Sequence, residues 1–332
     1  MNVMFTAFAV GNNTQSCDKS EPRAIHQRHI NSKICIIFIA FEKCNLMVLT
    51  EGFMSIRLGF ATAIQVFMVW CGPLTAHAQP DVFFSRSIAA YADLKFEKNF
   101  KEFGLFTRVG NSVFKPEGKG PFPAVVLVHS CGGLQPEISS RAKELIATGF
   151  AVLVLDSYGS RGHTTFCTAG GVSAPRVYKD AFDALKHLKQ MEGIDPGRIY
   201  LVGFSLGSFA AATASSPSVA ASVGSGVRFR ASVGWYGSCV FDVSPNPKWQ
   251  LVRSDLDMPL LLLMAEKDDE TPIKECFPLL ENLKTQGAPV SWHIYTDATH
   301  GWDKSMPSRG YVRNESVTRD AMKRTVEFLQ GN

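Results

Sequence analysis

The chain has 332 residues, 45% hydrophobic and 19% charged, which excludes a disordered, collagen-like or coiled-coil protein. Lys and Arg number 34 against 30 Asp and Glu, a formal charge of +4 with no basic stripe, so nothing in the electrostatics calls for nucleic acid and a small-molecule partner is expected. Eight cysteines are too few for a disulfide scaffold and too many to ignore, so their positions matter.

Taken in chain order, residues 1–53 show no sustained period, only an apolar patch from Ile34 to Phe41, and read as a non-native or disordered extension. Residues 54–78 read as a secretory signal peptide: a basic start at Arg57, an apolar run from Leu58 to Gly72, a breaker at Pro73, then Ala76-His77-Ala78. Cleavage after Ala78 leaves Gln79 first. An uncleaved anchor is the alternative, but the apolar run is shorter than the roughly 20 residues that span a bilayer. Trp70, before Cys71, is too bulky for a lipoprotein signal. Because such a signal acts at an N-terminus, translation is expected to start at Met54, with the codons of Glu51 and Gly52 able to form a purine-rich ribosome site. The product is expected to be periplasmic or secreted, touching a membrane only through the transient signal. Removing 78 of 332 residues leaves 254, one domain at 79–332 with four cysteines.

Along that domain, apolar runs alternate with amphipathic stretches. Strands are predicted at Ala124–His129, Ala151–Asp156, Ile199–Phe204, Ala231–Tyr236, Leu260–Ala265 and Val290–Tyr295. Near-continuous apolar runs imply burial on both faces, hence a mostly parallel sheet. Helices are predicted at Pro136–Thr148, Arg176–Met191, Leu206–Ala214, Pro272–Gln286 and Asn314–Leu329, the first and fourth stopped by Gly149 and Gly287. The fold class is therefore a doubly covered α/β sheet in a single domain.

The third strand runs into Gly203-Phe204-Ser205-Leu206-Gly207 and then a helix, the strand–turn–helix setting in which G-x-S-x-G holds a nucleophile. A serine needs a base, and a base needs a carboxylate to hold its tautomer. Of the histidines after Ser205, His293 lies inside a strand, whereas His300 follows the last strand in a loop and is the candidate base. Asp268, first aspartate after the Leu260–Ala265 strand, is the candidate acid, with Asp269 as alternative; Pro272 can open the next helix. An oxyanion needs two backbone donors: Leu206 supplies one, and Cys131 or Gly132, in the HSCGGL loop after the first strand, supplies the other. His129 reads as a residue that orients this loop.

Four motifs in order, HSCGGL with DSYGSRG at 156–162, GFSLG at 203–207, EKDDETP at 266–272 and ATHGWD at 298–303, resemble the dienelactone hydrolase family of α/β-hydrolases. The resemblance implies an α/β-hydrolase fold without a separate cap domain and assigns Ser205, Asp268 and His300 as nucleophile, acid and base. The dienelactone-cleaving members carry cysteine at the elbow, so serine here points to a general exported carboxylic-ester or lactone hydrolase working through an acyl-enzyme. In this fold Cys131 and Cys167 follow neighbouring strands, as do Cys239 and Cys276, which predicts the bridges 131–167 and 239–276. C-x-x-C and H-x-x-x-H spacings are absent, and neither metal nor cofactor is expected.

Loops at the same sheet edge nominate Tyr158, Arg161, His163, Tyr236 and Trp302 for the substrate pocket, with Arg161 either binding a substrate carboxylate or pairing with a local acid. About 20 residues between Cys239 and Met258 are too few for a cap domain. The same triad chemistry also serves amide or peptide hydrolysis, and a noncatalytic binding protein is the third reading.

Overall fold

The structure, a computed structural model, describes residues 87–104, 108–165, 167, 172–241, 248–304 and 310–332, together with the backbone of three strands nearer the N-terminus. Those strands, β1 (Phe5–Ala9), β2 (Cys35–Phe41) and β3 (Cys44–Leu49), form an antiparallel meander within one compact unit, Met1–Leu74. Nearly all of the apolar patch from Ile34 lies in the middle strand. The signal-like segment 54–78 lies outside the described residues.

The second unit, Thr75–Asn332, is a three-layer α/β assembly. Its elements in chain order are β4 (Phe100–Lys101), β5 (Ser112–Phe114), β6 (Phe122–Val128), α1 (Pro136–Ala147), β7 (Ala151–Leu155), α2 (Ala174–Lys189), β8 (Ile194–Phe204), α3 (Leu206–Ala214), α4 (Pro217–Ser222), β9 (Ser232–Trp235), β10 (Val240–Phe241), β11 (Trp249–Gln250), β12 (Leu260–Lys267), α5 (Cys276–Thr285), β13 (Val290–Thr299) and α6 (Glu315–Gly331). Eight of these strands form one sheet in the order β13-β12-β9-β8-β6-β7-β5-β4. All adjacent pairs are parallel except β5 with β7.

Strands β6, β7 and β12 are buried along most of their length because both faces are covered. Val126, Leu153, Leu201 and Leu262 meet Val177, Leu185, Phe209 and Leu280 from α2, α3 and α5 on one side. Val125, Val152, Val202 and Leu263 meet Ile138, Leu145, Ala321 and Leu329 from α1 and α6 on the other. Alternate residues of each strand thus feed opposite cores, the period-two geometry of a strand serving two helix layers.

The six predicted strands and five predicted helices are all present, with shifted ends. The largest shift is at β8, which begins at Ile194 and not at Ile199; among the helices it is at α5, which begins at Cys276 and not at Pro272. The preceding backbone is already engaged: Glu270 and Thr271 amides donate to the Asp268 carboxylate, and the Pro272 carbonyl accepts from Ser238 Oγ. The antiparallel ribbon of β10 and β11 lies between Cys239 and Met258. Among the described residues no helix is long and apolar enough to cross a membrane.

The stretch before β4 is stapled to α2 by a buried ionic hub. Arg176, 1% exposed, donates to the carbonyls of Ile88 and Tyr91 and to the carboxylates of Asp93 and Asp180. Lys179 and Arg176 hold the Asp93 carboxyl below its ordinary value.

Candidate active site

The central strand β8 ends at Phe204, and Ser205 turns the chain into α3 with φ 52° and ψ −110°, a conformation that strains a residue with a side chain. The turn is this tight because its glycines have no Cβ. A Cβ on Gly203 would lie 1.9 Å from the Gly207 carbonyl oxygen, and one on Gly207 would lie 2.3 Å from the Val128 oxygen. The Ser205 amide donates to the Trp235 carbonyl at 3.0 Å, tying the elbow to β9. The Oγ is left above the sheet, at the N-terminal end of α3.

Two further strand ends converge on it. His300 follows β13 and places Nε2 at 2.9 Å from Ser205 Oγ, while its Nδ1 lies 2.8 Å from Asp268 Oδ2. The carboxylate can only accept, so Nδ1 carries the proton and Nε2 is the acceptor facing the serine hydroxyl. Asp268 follows β12, whose pairing with β13 shifts register between Ala265 and Lys267, an irregularity of the kind that re-aims a side chain beside a site. Ser205, Asp268 and His300 are 6%, 5% and 3% exposed, whereas the alternative acid Asp269 is exposed to solvent.

Asp268 is fully engaged as an acceptor. Its Oδ1 takes the amides of Glu270 at 3.0 Å and Thr271 at 2.8 Å, and its Oδ2 takes the Thr271 hydroxyl at 2.8 Å as well as His300. Thr271 escaped the sequence reading, although an aspartate three residues before a threonine is the pattern of a turn closed by side-chain acceptors. A second carboxylate oxygen, Glu270 Oε2, stands 3.6 Å from His300 Nε2.

Behind the base lies a packed aromatic wall. Tyr236 sits at φ 38° and meets the imidazole edge-on at 5.2 Å, and Trp302 stacks on Trp235 at 5.9 Å. Tyr236 Oη donates to Asp303 Oδ1 at 2.9 Å. Burial raises the carboxyl of Asp303, three residues beyond His300, above its ordinary value.

The loop after β6 lies against the first turn of α3, at the close approach that Gly207 permits. Gly133 donates to the Ser130 carbonyl and Gly132 to Ser130 Oγ, so of the two candidate donors Cys131 is the one whose amide is not turned back onto Ser130. His129 is fully buried; its Nδ1–H donates to the Ser130 carbonyl at 2.7 Å, and Nε2 accepts from the Ser157 amide at 3.3 Å. Burial depresses its pKa, in keeping with a neutral, orienting ring. Both expected disulfides are present, Cys131–Cys167 and Cys239–Cys276.

The pocket residues expected from the sequence need correction. Tyr158, Tyr236 and Trp302 are core side chains, exposed by 1%, 1% and 0%, packed within the two hydrophobic clusters and offering no solvent-facing surface. Arg161 takes the second of its two expected roles, pairing with a local acid: its guanidinium binds Asp180 bidentately, at 2.6 and 3.0 Å, and also donates to the Ser157 and Ala92 carbonyls. His163 is half-buried and meets Tyr91 edge-on at 6.2 Å. Tyr311, which the sequence did not nominate, packs 5.3 Å from the His300 ring.

Helices on both faces of a mostly parallel sheet, with a serine elbow ending its central strand, place the chain among the α/β-hydrolases. Within that class it belongs to the dienelactone hydrolase family, with which residues 109–332 align. A Methylorubrum extorquens protein named as a carboxymethylenebutenolidase is 25% identical over 200 residues, covering 56% of this chain and 65% of the relative. The chain thus spans slightly less than two thirds of that relative's length. The fold of a Klebsiella pneumoniae protein named as a dienelactone hydrolase matches with a TM-score of 0.51 at 21% identity, over 66% of this chain and 91% of that one. Thermogutta terrifontis esterase 2, solved with butyrate bound, matches at 0.52 and 16% identity, over 66% of this chain and 88% of that one. The same esterase has been solved phosphonylated by cyclosarin.

Proposed function

We propose that the protein is an exported serine hydrolase that cleaves carboxylic esters or lactones. The observation that carries the reading is the unbroken relay from Asp268 through His300 to Ser205 Oγ, with contacts of 2.8 and 2.9 Å. His300 Nε2 takes the Ser205 proton as Oγ attacks the carbonyl carbon. The resulting oxyanion is held by the Leu206 amide, at the start of α3, and by the Cys131 amide. The imidazolium is stabilised by Asp268 and passes its proton to the departing alkoxide, leaving an acyl-enzyme. Water, deprotonated by the same nitrogen, attacks that ester, and collapse of the second tetrahedral adduct releases the acid and restores Ser205. Serine at the elbow, where the dienelactone-cleaving members carry cysteine, supports general esters or lactones over dienelactone itself.

Export rests on the signal-like segment 54–78, with Gln79 as the first mature residue, and two disulfides favour an oxidising compartment. N-terminal sequencing of protein recovered from the cell exterior or periplasm tests this; a start before Met54 in that material would overturn it. A panel of p-nitrophenyl esters, lactones and peptide anilides tests the chemistry. Wild type should turn over esters or lactones, and Ser205→Ala should lose at least about 10⁴-fold in kcat. A fluorophosphonate should add to Ser205 alone. Ester turnover that survives in Ser205→Ala rejects the mechanism, and turnover of anilides alone moves the protein to amide hydrolysis.

A further inference from the structure

We propose that the Cys131–Cys167 disulfide and Thr165 are positioning elements that lock the peptide plane whose N–H receives the oxyanion, so that hydrolysis by this protein is sensitive to thiols. The proposal rests on the hydrolase reading above. The amide of Cys131 shares one rigid plane with the Ser130 carbonyl, and the two point in opposite directions. That carbonyl is pinned from one side by His129 Nδ1–H at 2.7 Å and by the Gly133 amide at 3.0 Å. A flip of this peptide would turn a carbonyl oxygen toward the developing negative charge.

The other side of Cys131 is pinned from a different loop. Its Sγ is bonded to Cys167, its carbonyl accepts from Thr165 Oγ1 at 3.1 Å, and the same hydroxyl oxygen accepts from the Cys167 amide at 3.0 Å. Gly133, at φ 75°, lies so close to this loop that a Cβ would sit 2.5 Å from the Thr164 carbonyl oxygen. Among the described residues, no strand or helix runs through 130–135 or 162–165 to hold the arrangement. The short range of ties around Thr165 does that work in their place, and the bridge is its covalent member.

The two disulfides differ in access. Cys239 and Cys276 are both 0% exposed, whereas Cys167 is solvent-exposed and Cys131 half-buried. A dithiol therefore reaches 131–167 first: it passes two electrons and two protons to the bridge, the S–S bond becomes two thiols, and the dithiol closes to its own disulfide. Loss of the tie leaves the Ser130–Cys131 plane held only from the Ser130 side, by His129 and Gly133, and the hole loses part of a donor whose complete removal costs about 10²–10³ in kcat elsewhere.

The test compares wild type, Cys167→Ala, Thr165→Val and Thr165→Ser, with rates expressed per serine titrated by a fluorophosphonate so that misfolded protein does not count. Cys167→Ala and Thr165→Val should each lose about tenfold in kcat with KM within twofold, Thr165→Ser should restore the rate, and affinity for a trifluoromethyl ketone should fall in parallel with kcat. Treating folded wild type with a dithiol, to the point where two cysteines alkylate, should reproduce the Cys167→Ala rate and leave Cys167→Ala itself unchanged. A kcat per titrated serine within twofold of wild type in both the variant and the reduced enzyme overturns the proposal. Amide exchange at Gly132 and Gly133 answers independently of any substrate: it should accelerate at least tenfold when the bridge opens, and unchanged exchange also overturns the proposal. Absence of serine titration in oxidised wild type would instead defeat the hydrolase reading, with the exchange result still standing on its own.

Discussion

Thr271 shows how much of a candidate catalytic carboxylate's behaviour is set by what donates to it. Its hydroxyl lies 2.8 Å from Asp268 Oδ2, the oxygen that also receives His300, and 3.3 Å from the Tyr236 carbonyl, so it can steer the acid's rotamer directly. Thr271→Val keeps the shape and removes the donor; kcat should fall about tenfold with KM unchanged, and Thr271→Ser should retain the rate. A Val variant as fast as wild type would show that the backbone amides alone hold Asp268. At Asp303 the sign is different. Burial raises its carboxyl above 3.8, so the folded protein binds that proton more readily than the unfolded chain does. The associated stability is full at acid pH and is lost as pH rises through the raised value. Asp303→Asn keeps an acceptor for Tyr236 without ever charging, so its Tm relative to wild type should climb as pH goes from about 4 to about 7. A pH-independent difference would refute it. Ser205, Asp268 and His300 could be nominated from sequence because each follows a strand end in a fixed order. The inward turn of Tyr158, Tyr236 and Trp302 could not, since an aromatic after a strand reads alike whether it faces the cavity or the core.

The helix α2 carries the charged hub that the sequence concealed. Arg161 and Arg176 both bind Asp180, which is 0% exposed, and through them the loop after β7 and the stretch before β4 are fastened to one helix. Asp180→Ala leaves two guanidinium groups without their buried counter-ion and should destabilise the protein by about 3–5 kcal/mol, measured by urea unfolding. A change below about 1 kcal/mol would place the hub among ion pairs that contribute little. The central strands and the helices were legible because continuous apolar runs and 3.6-residue periods both report burial. The short strands β4 and β5 and the ribbon of β10 and β11 were not. Strands of two or three residues carry no period of their own. The start of α5 was misjudged for a related reason: Pro272 suits a first turn, but the Asp268 carboxylate had already claimed the amides before it.

Across the whole catalytic unit, the bridge between the loops after β6 and β7 and the bridge between those after β9 and β12 flank the strand that bears Ser205. The covalent ties therefore sit at the sheet edge where the strands end. The order of the strands has a kinetic side. Ser205 and His300 are 95 positions apart, and β9 must seat between β8 and β12 before the acid and base stand over the elbow. Such distant pairings form slowly compared with helices. After dilution from denaturant with the bridges intact, far-UV dichroism should recover well before ester turnover, and the lag measures the time β9 takes to find its place. Helix α3, with its serine, would then exist for a period as a finished fragment of an enzyme that cannot yet work.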